Sequence, residues 1–152
     1  RADEMIDILH DVWQGDWVEH HGTHFEFPRL EMTPAPPATI PIWVGGVSDH
    51  ALRRAARNDG WISDLMSTAE AAETRVKLDE YREQQGKTGD FAMIVSLNDA
   101  ISADDFRRAE DAGITDILTM PWAYHGGFKQ TLQGKLDGLH RFADEIVAPL
   151  AG

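Results

Sequence analysis

Apolar side chains at Met5, Ile8, Leu9, Val12 and Trp13 recur at the i, i+3, i+4, i+7 spacing of an amphipathic helix. Gly15 stops the run, so residues 1–13 are predicted to be helical. The next stretch, WVEHHGTHFEFPRLEMTPAPPATIP, alternates around Gly22 as a short hairpin would. Pro34, Pro36, Pro37 and Pro41 then forbid a helix. From Ile40 the pattern changes to strand followed by helix, four times over. Strands are predicted at 41–44, 61–63, 91–97 and 116–120, and helices at 48–58, 68–85, 103–112 and 129–147. The expected organisation is therefore a helix and hairpin with a proline-rich connection over 1–39, followed by four βα units over 40–152.

The punctuation agrees with these limits. Ser48, Ser67 and Ser102 each precede a helix, with Glu70 three residues after Ser67 and Asp105 three after Ser102 in the pattern of a capping box. Gly60, Gly86 and Gly113 each follow a helix, where glycine takes the left-handed cap cheaply. Strands separated by helices of this length pair in parallel through right-handed crossovers. Two architectures satisfy the pattern. An open doubly wound sheet suits the 152 residues, whereas a closed (β/α)8 barrel needs about 200–250. The first helix has no strand before it and the sequence opens on arginine, which favours half of a barrel and a chain that is a fragment.

Composition narrows the partners. Hydrophobic residues make up 42% of the chain, enough for a core, and 26 acidic against 14 basic residues give a net charge of −12. Such a charge repels nucleic acid and anionic membrane surfaces, and no apolar run reaches the length of a membrane span, so neither partner is expected. A cytoplasmic protein acting on a small molecule is expected instead. There is no cysteine, which removes disulfides, zinc thiolates and cysteine nucleophiles together.

The most informative segment is PIWVGGVSDHALRRAARNDGW, residues 41–61. After a parallel strand, the first-turn amides of a helix point outward at the strand's C-terminal end and carry partial positive charge. Gly45 and Gly46 allow an oxygen-rich group to approach the main chain, and Ser48 can cap the helix or offer its hydroxyl. The plain alternative is a tight turn that needs glycine. Arg53, Arg54 and Arg57 flank a stripe of Leu52, Ala55 and Ala56 and read as a solvated face rather than ligands. Trp61 suits a buried strand, as core or as the wall of a pocket. His20, His21 and His24 with Glu19 and Glu26 raise a metal site, but the turn at Gly22 separates them, and none is assigned. The G-x-S-x-G, G-x-G-x-x-G and Walker A patterns are absent from the sequence. After the fourth strand, Trp122 and Tyr124 fall on the same rim as Gly45 and Gly46, where a parallel sheet places its ligands, and suit either the wall of a flat ring's pocket or a merely structural loop.

Residues 41–61, together with W…HHGTHFEFP, DAGITDILTMPW and LHRFADEIVAPLAG in that order, resemble the luciferase-like monooxygenase superfamily over essentially the whole chain. The resemblance implies the C-terminal half of a (β/α)8 barrel. It also implies an oxidoreductase that uses FMN or the deazaflavin coenzyme F-420 for hydride transfer or oxygen activation. By the same likeness, Gly45, Gly46, Val47 and Ser48 hold the cofactor phosphate, with Gly60 and Trp61 close by. The family's ring-binding and catalytic groups fall largely in the half not present, so no catalytic residue is assigned. A half-barrel is expected to expose interior residues drawn, according to register, from Ile42, Val44, Ile62, Ile94, Val95, Ile117 and Leu118. It is therefore expected to pair with its missing half or with a second copy of itself. The competing readings are a non-catalytic acidic α/β interaction module and a structural half-barrel that oligomerises without ligand.

Overall fold

The chain breaks at Pro41. In a computed structural model, which describes residues 1–151, Arg1–Pro41 and Ile42–Gly152 form separate units.

In the first unit, α1 (Ala2–Val12) ends as the amphipathic run ends, and Gly15 makes the turn at φ +80°. Strands β1 (Val18–His21) and β2 (Glu26–Leu30) pair antiparallel, with His20 opposite Phe27 and His21 opposite Glu26. The hairpin is tied to α1 by one carboxylate. Glu4 accepts from the amides of His24 at 3.0 Å and Phe25 at 2.9 Å and meets His20 Nε2 at 3.1 Å. The turn amides, which the ladder leaves without partners, are satisfied in this way. Burial alone would raise the Glu4 carboxyl, but the hydrogen bonds from His20 and from the Phe25 and His24 amides outweigh it and hold the group down to about 2.

The second unit is a four-stranded parallel sheet in the order β3 (Trp43–Gly45), β4 (Gly60–Met66), β5 (Ala92–Leu97), β6 (Asp116–Ile117). Helices α2 (Asp49–Arg57), α3 (Thr68–Gln84), α4 (Ala103–Asp111) and α5 (Leu132–Phe142) follow the strands in turn. Each begins on a side-chain cap: Ser48, Ser67, Ser102 and Thr131 accept an amide of the first turn, and both predicted capping boxes form. The end of the chain differs from expectation. The last helix starts at Leu132 rather than 129, because a 3-10 segment (Pro121–His125) and a loop precede it. It then widens into a π-helical stretch, Ala143–Val147, before the short α6 (Ala148–Leu150). The fourth strand is also shorter than the 116–120 predicted.

Register decides which strand residues face the helices. Val44 lies beside Trp61 and Trp61 beside Met93, while Val95 lies beside Ile117. Val44, Trp61, Met93 and Val95 are all buried, as are Leu52, Ala55 and Ala56 of α2 and Ala71 and Leu78 of α3. This is the core between sheet and helices. Val44, Ile94 and Val95 are thereby removed from the expected set of exposed interior residues, and Ile42, Ile62 and Ile117 are only partly exposed. The opposite face carries Trp43, 49% exposed, and beyond β6 the exposed Leu118.

Gly60 corrects a further expectation. It is not a helix cap: α2 ends at Asn58 in extended backbone, and Gly60 is the first residue of β4. A Cβ there would stand 2.7 Å from the Ala92 carbonyl oxygen and 2.7 Å from the Trp43 ring, so glycine is required by the closeness of the neighbouring strands. Gly86 and Gly113 do take the left-handed region, at φ +65° and +84°.

Candidate functional site

The β3–α2 turn is built around Gly46. Its φ of +107° is one that side-chain-bearing residues rarely adopt, and a Cβ would lie 3.1 Å from that of Ala51. Its carbonyl accepts the indole N–H of Trp61 at 2.8 Å, so a wholly buried side chain on the next strand holds the turn from beneath. Ser48 completes the turn, its Oγ accepting the Ala51 amide at 3.3 Å. The Asp49 and His50 amides are the first two of α2 and have no acceptor within the helix.

Gly45 differs from Gly46. A Cβ on it would meet only the Ile62 carbonyl oxygen at 3.6 Å and Cγ2 at 3.8 Å, which are ordinary contacts. The fold of this chain does not itself demand glycine at 45. Gly45 ends β3 as exposed backbone, and the turn of Gly46 to Ser48 that follows it is exposed as well. Two unpaired first-turn amides beside exposed glycine backbone are the donor chemistry that a phosphate takes.

The six residues singled out by sequence are therefore neighbours with different parts. Gly45, Gly46, Val47 and Ser48 form the turn, with Val47 67% exposed. Gly60 and Trp61 lie close by and are buried. Trp61 supports the turn, and Gly60 lets β3 and β5 close on β4.

Further along the same rim, a cavity of about 580 Å³ opens at the ends of β4, β5 and β6. Apolar groups dominate its lining, among them Leu65, Ile101, Leu118 and Phe128, with Asp64 and Asn98 as polar members. Asp64 is placed there by a bulge. Between the pairs Ile62–Ile94 and Leu65–Ser96, β4 has one more residue than β5, which turns both Asp64 and Leu65 out toward the rim. Hydrophobic periodicity could not signal this, because a bulge breaks the period.

Of the two aromatics expected on this rim, Tyr124 lines the cavity, packs on Phe142 and shares a 3.2 Å hydrogen bond with the Thr119 hydroxyl. Trp122 does not line it. Its backbone lies against Gly138 of α5, where a Cβ would come within 2.9 Å, and Gln130 Nε2 donates to its carbonyl at 2.9 Å. Of the hairpin histidines, His20 is bound to Glu4, and His21 meets Glu19 at 2.9 Å and Glu26 at 3.5 Å. Among the described residues no three histidine or carboxylate side chains gather as a metal site. Among them, too, no helix is long and apolar enough to cross a membrane.

A parallel sheet whose strands end in a glycine turn and an apolar cavity on one rim suits a barrel half and an open doubly wound sheet alike. The luciferase-like monooxygenase family model matches residues 1–146, and the chain belongs to that family. It is 38% identical over 151 residues to an uncharacterized protein of Mycobacterium tuberculosis, covering 97% of this chain and 52% of that protein. It is 22% identical over 151 residues to the F420-dependent glucose-6-phosphate dehydrogenase of Nakamurella multipartita, covering 96% of this chain and 43% of that enzyme. Among solved structures, an F420-dependent secondary alcohol dehydrogenase in complex with an F420-acetone adduct shares the fold, with a TM-score of 0.53 at 13% identity. That match covers 94% of this chain and 52% of the other. The chain thus spans about half the length of the relatives it matches, as half of a luciferase-like barrel would.

Proposed function

We propose that this chain supplies one half of a flavin- or deazaflavin-dependent oxidoreductase, with the cofactor phosphate on the Gly45–Ser48 turn and the ring toward the cavity at the ends of β4–β6. The observation that carries this reading is the coincidence of the two features on one rim. An amide-lined turn sits in front of Gly45, and a largely apolar cavity follows along the same strand ends. When bound, a reduced ring would supply a hydride or activate oxygen. The chain's own contribution is to bind and orient. The Gly46 turn and first-turn amides of α2 take the anion, Trp61 keeps that turn in place, and the apolar wall keeps water from a small-molecule substrate.

Deazaflavin is the preferred version, since two of the similar proteins are F420-dependent by name. The remaining strands of the barrel come from another segment or from a second copy of this chain, because β3 and β6 are edge strands of an open sheet. Fluorescence titration of the assembled barrel with F-420 and with FMN tests the reading. Saturable binding of one, weakened by Gly46→Ala, is expected. Binding of neither overturns it.

A further inference from the structure

The first residue of α2 is an acid whose charge opposes the anion assigned to that helix end. A carboxylate in the first turn stabilises a free helix, but it competes with a phosphate for the same amides. In this chain both oxygens of Asp49 are drawn away. The Tyr81 hydroxyl, from α3, donates to Oδ1, and Arg53 Nε, one turn along α2, donates to Oδ2 at 2.8 Å. The guanidinium of Arg53 lies 4.1 Å from the centre of the Tyr81 ring, and Gln85 Nε2 donates to the Arg53 carbonyl at 3.3 Å. Three side chains from two helices thus fix one another, and the carboxylate is directed toward α3. The hydrogen bond from Tyr81, and after it that from Arg53, keep the Asp49 carboxyl below the ordinary range, so it stays charged and held.

We propose that Tyr81 and Arg53 are positioning residues that withdraw the Asp49 carboxylate from the N-terminus of α2 and so leave its amides open to the cofactor phosphate. The inference rests on the phosphate reading above. Without the clamp, the Asp49 side chain is free to turn onto the first-turn amides and exclude the anion. Tyr81→Phe keeps the ring beneath Arg53 and deletes only the hydroxyl, which makes it the informative change.

The test compares FMN with riboflavin, which differ by the phosphate alone, and the deazaflavin with and without its phosphodiester-linked tail, by fluorescence at low and high salt. The assembled barrel is used, in wild type, Tyr81→Phe, Asp49→Asn and the double variant. Tyr81→Phe is expected to lower the preference for the phosphate-bearing ligand about threefold or more at low salt and less at high salt, with riboflavin affinity unmoved. Asp49→Asn is expected to restore the preference in the double variant, which a merely structural role for Tyr81 would not produce. In the same samples, inorganic phosphate should shift the amide resonances of Gly46 to His50 in wild type, and less in Tyr81→Phe. A wild type indifferent to phosphate in both assays overturns the reading and the inference together. A wild type that prefers phosphate while Tyr81→Phe leaves the preference unchanged, or weakens all ligands equally, overturns the inference alone.

Discussion

Replacing Trp61 with phenylalanine isolates the bond on which the β3–α2 turn depends. The indole of Trp61 is wholly buried, and its Nε1–H donates to the Gly46 carbonyl at 2.8 Å. Phenylalanine keeps the aromatic contact with the core but removes that donor, and nothing else on the side chain can replace it. Leaving a partly buried carbonyl without its partner costs about 1 kcal/mol, at the low end of the range because the site is near the surface. The smaller ring also leaves about 40 Å³ unfilled, worth roughly another 1 kcal/mol where the surroundings do not collapse. The sum, about 2 kcal/mol, corresponds to a fall in melting temperature of about 4–8 °C for a chain of this size. Thermal denaturation by circular dichroism measures it, and exchange of the Ala51 and Leu52 amides, which bond Ser48 across the turn, should quicken by more than at α3. A variant that melts within about a degree of wild type, with exchange at Ala51 and Leu52 unchanged, refutes the claim that Trp61 holds the turn.

Gly60→Ala should destabilise more than an ordinary strand substitution, by about 2–4 kcal/mol, because the Ala92 backbone stands where the methyl group would go; urea denaturation measures it, and a loss under about 0.5 kcal/mol would show that the strands separate easily. Asp105 accepts from the Ser102 side chain first and the Ile101 amide second, which hold it down to about 2 from its ordinary 3.8. Its folded value is depressed, so its contribution is complete above about pH 4 and lost as pH falls toward about 2. Asp105→Asn should therefore lower stability at neutral pH and flatten the acid limb of the stability curve over that window; an unchanged acid limb would count against the capping box as its source. Glu4→Gln should loosen the hairpin turn of the first unit, since one neutral oxygen replaces a carboxylate that binds two amides and His20. Faster exchange of the His24 and Phe25 amides is expected, and unaltered exchange would refute it.

Local rules were enough for much of this molecule. Serines at 48, 67 and 102 and glycines at 86 and 113 act within one helical turn, so the starts and stops of the helices could be read from the residues themselves. The glycine pair after a strand marked the β3–α2 turn for the same reason, and the family read from the residues is the one whose model matches residues 1–146. What could not be read depends on neighbours far along the chain. The need for glycine at 60 comes from Ala92 and Trp43, and the part of Trp61 from a carbonyl fifteen residues before it. The bulge that turns Asp64 to the rim exists only in the pairing of β4 with β5, and the clamp on Asp49 only in the packing of α3 against α2. Sequence determined where the backbone must turn and which faces are apolar, because capping and periodicity are short-range. The tertiary structure decided which side chains meet, because strand register and helix packing bring together residues that no local pattern relates.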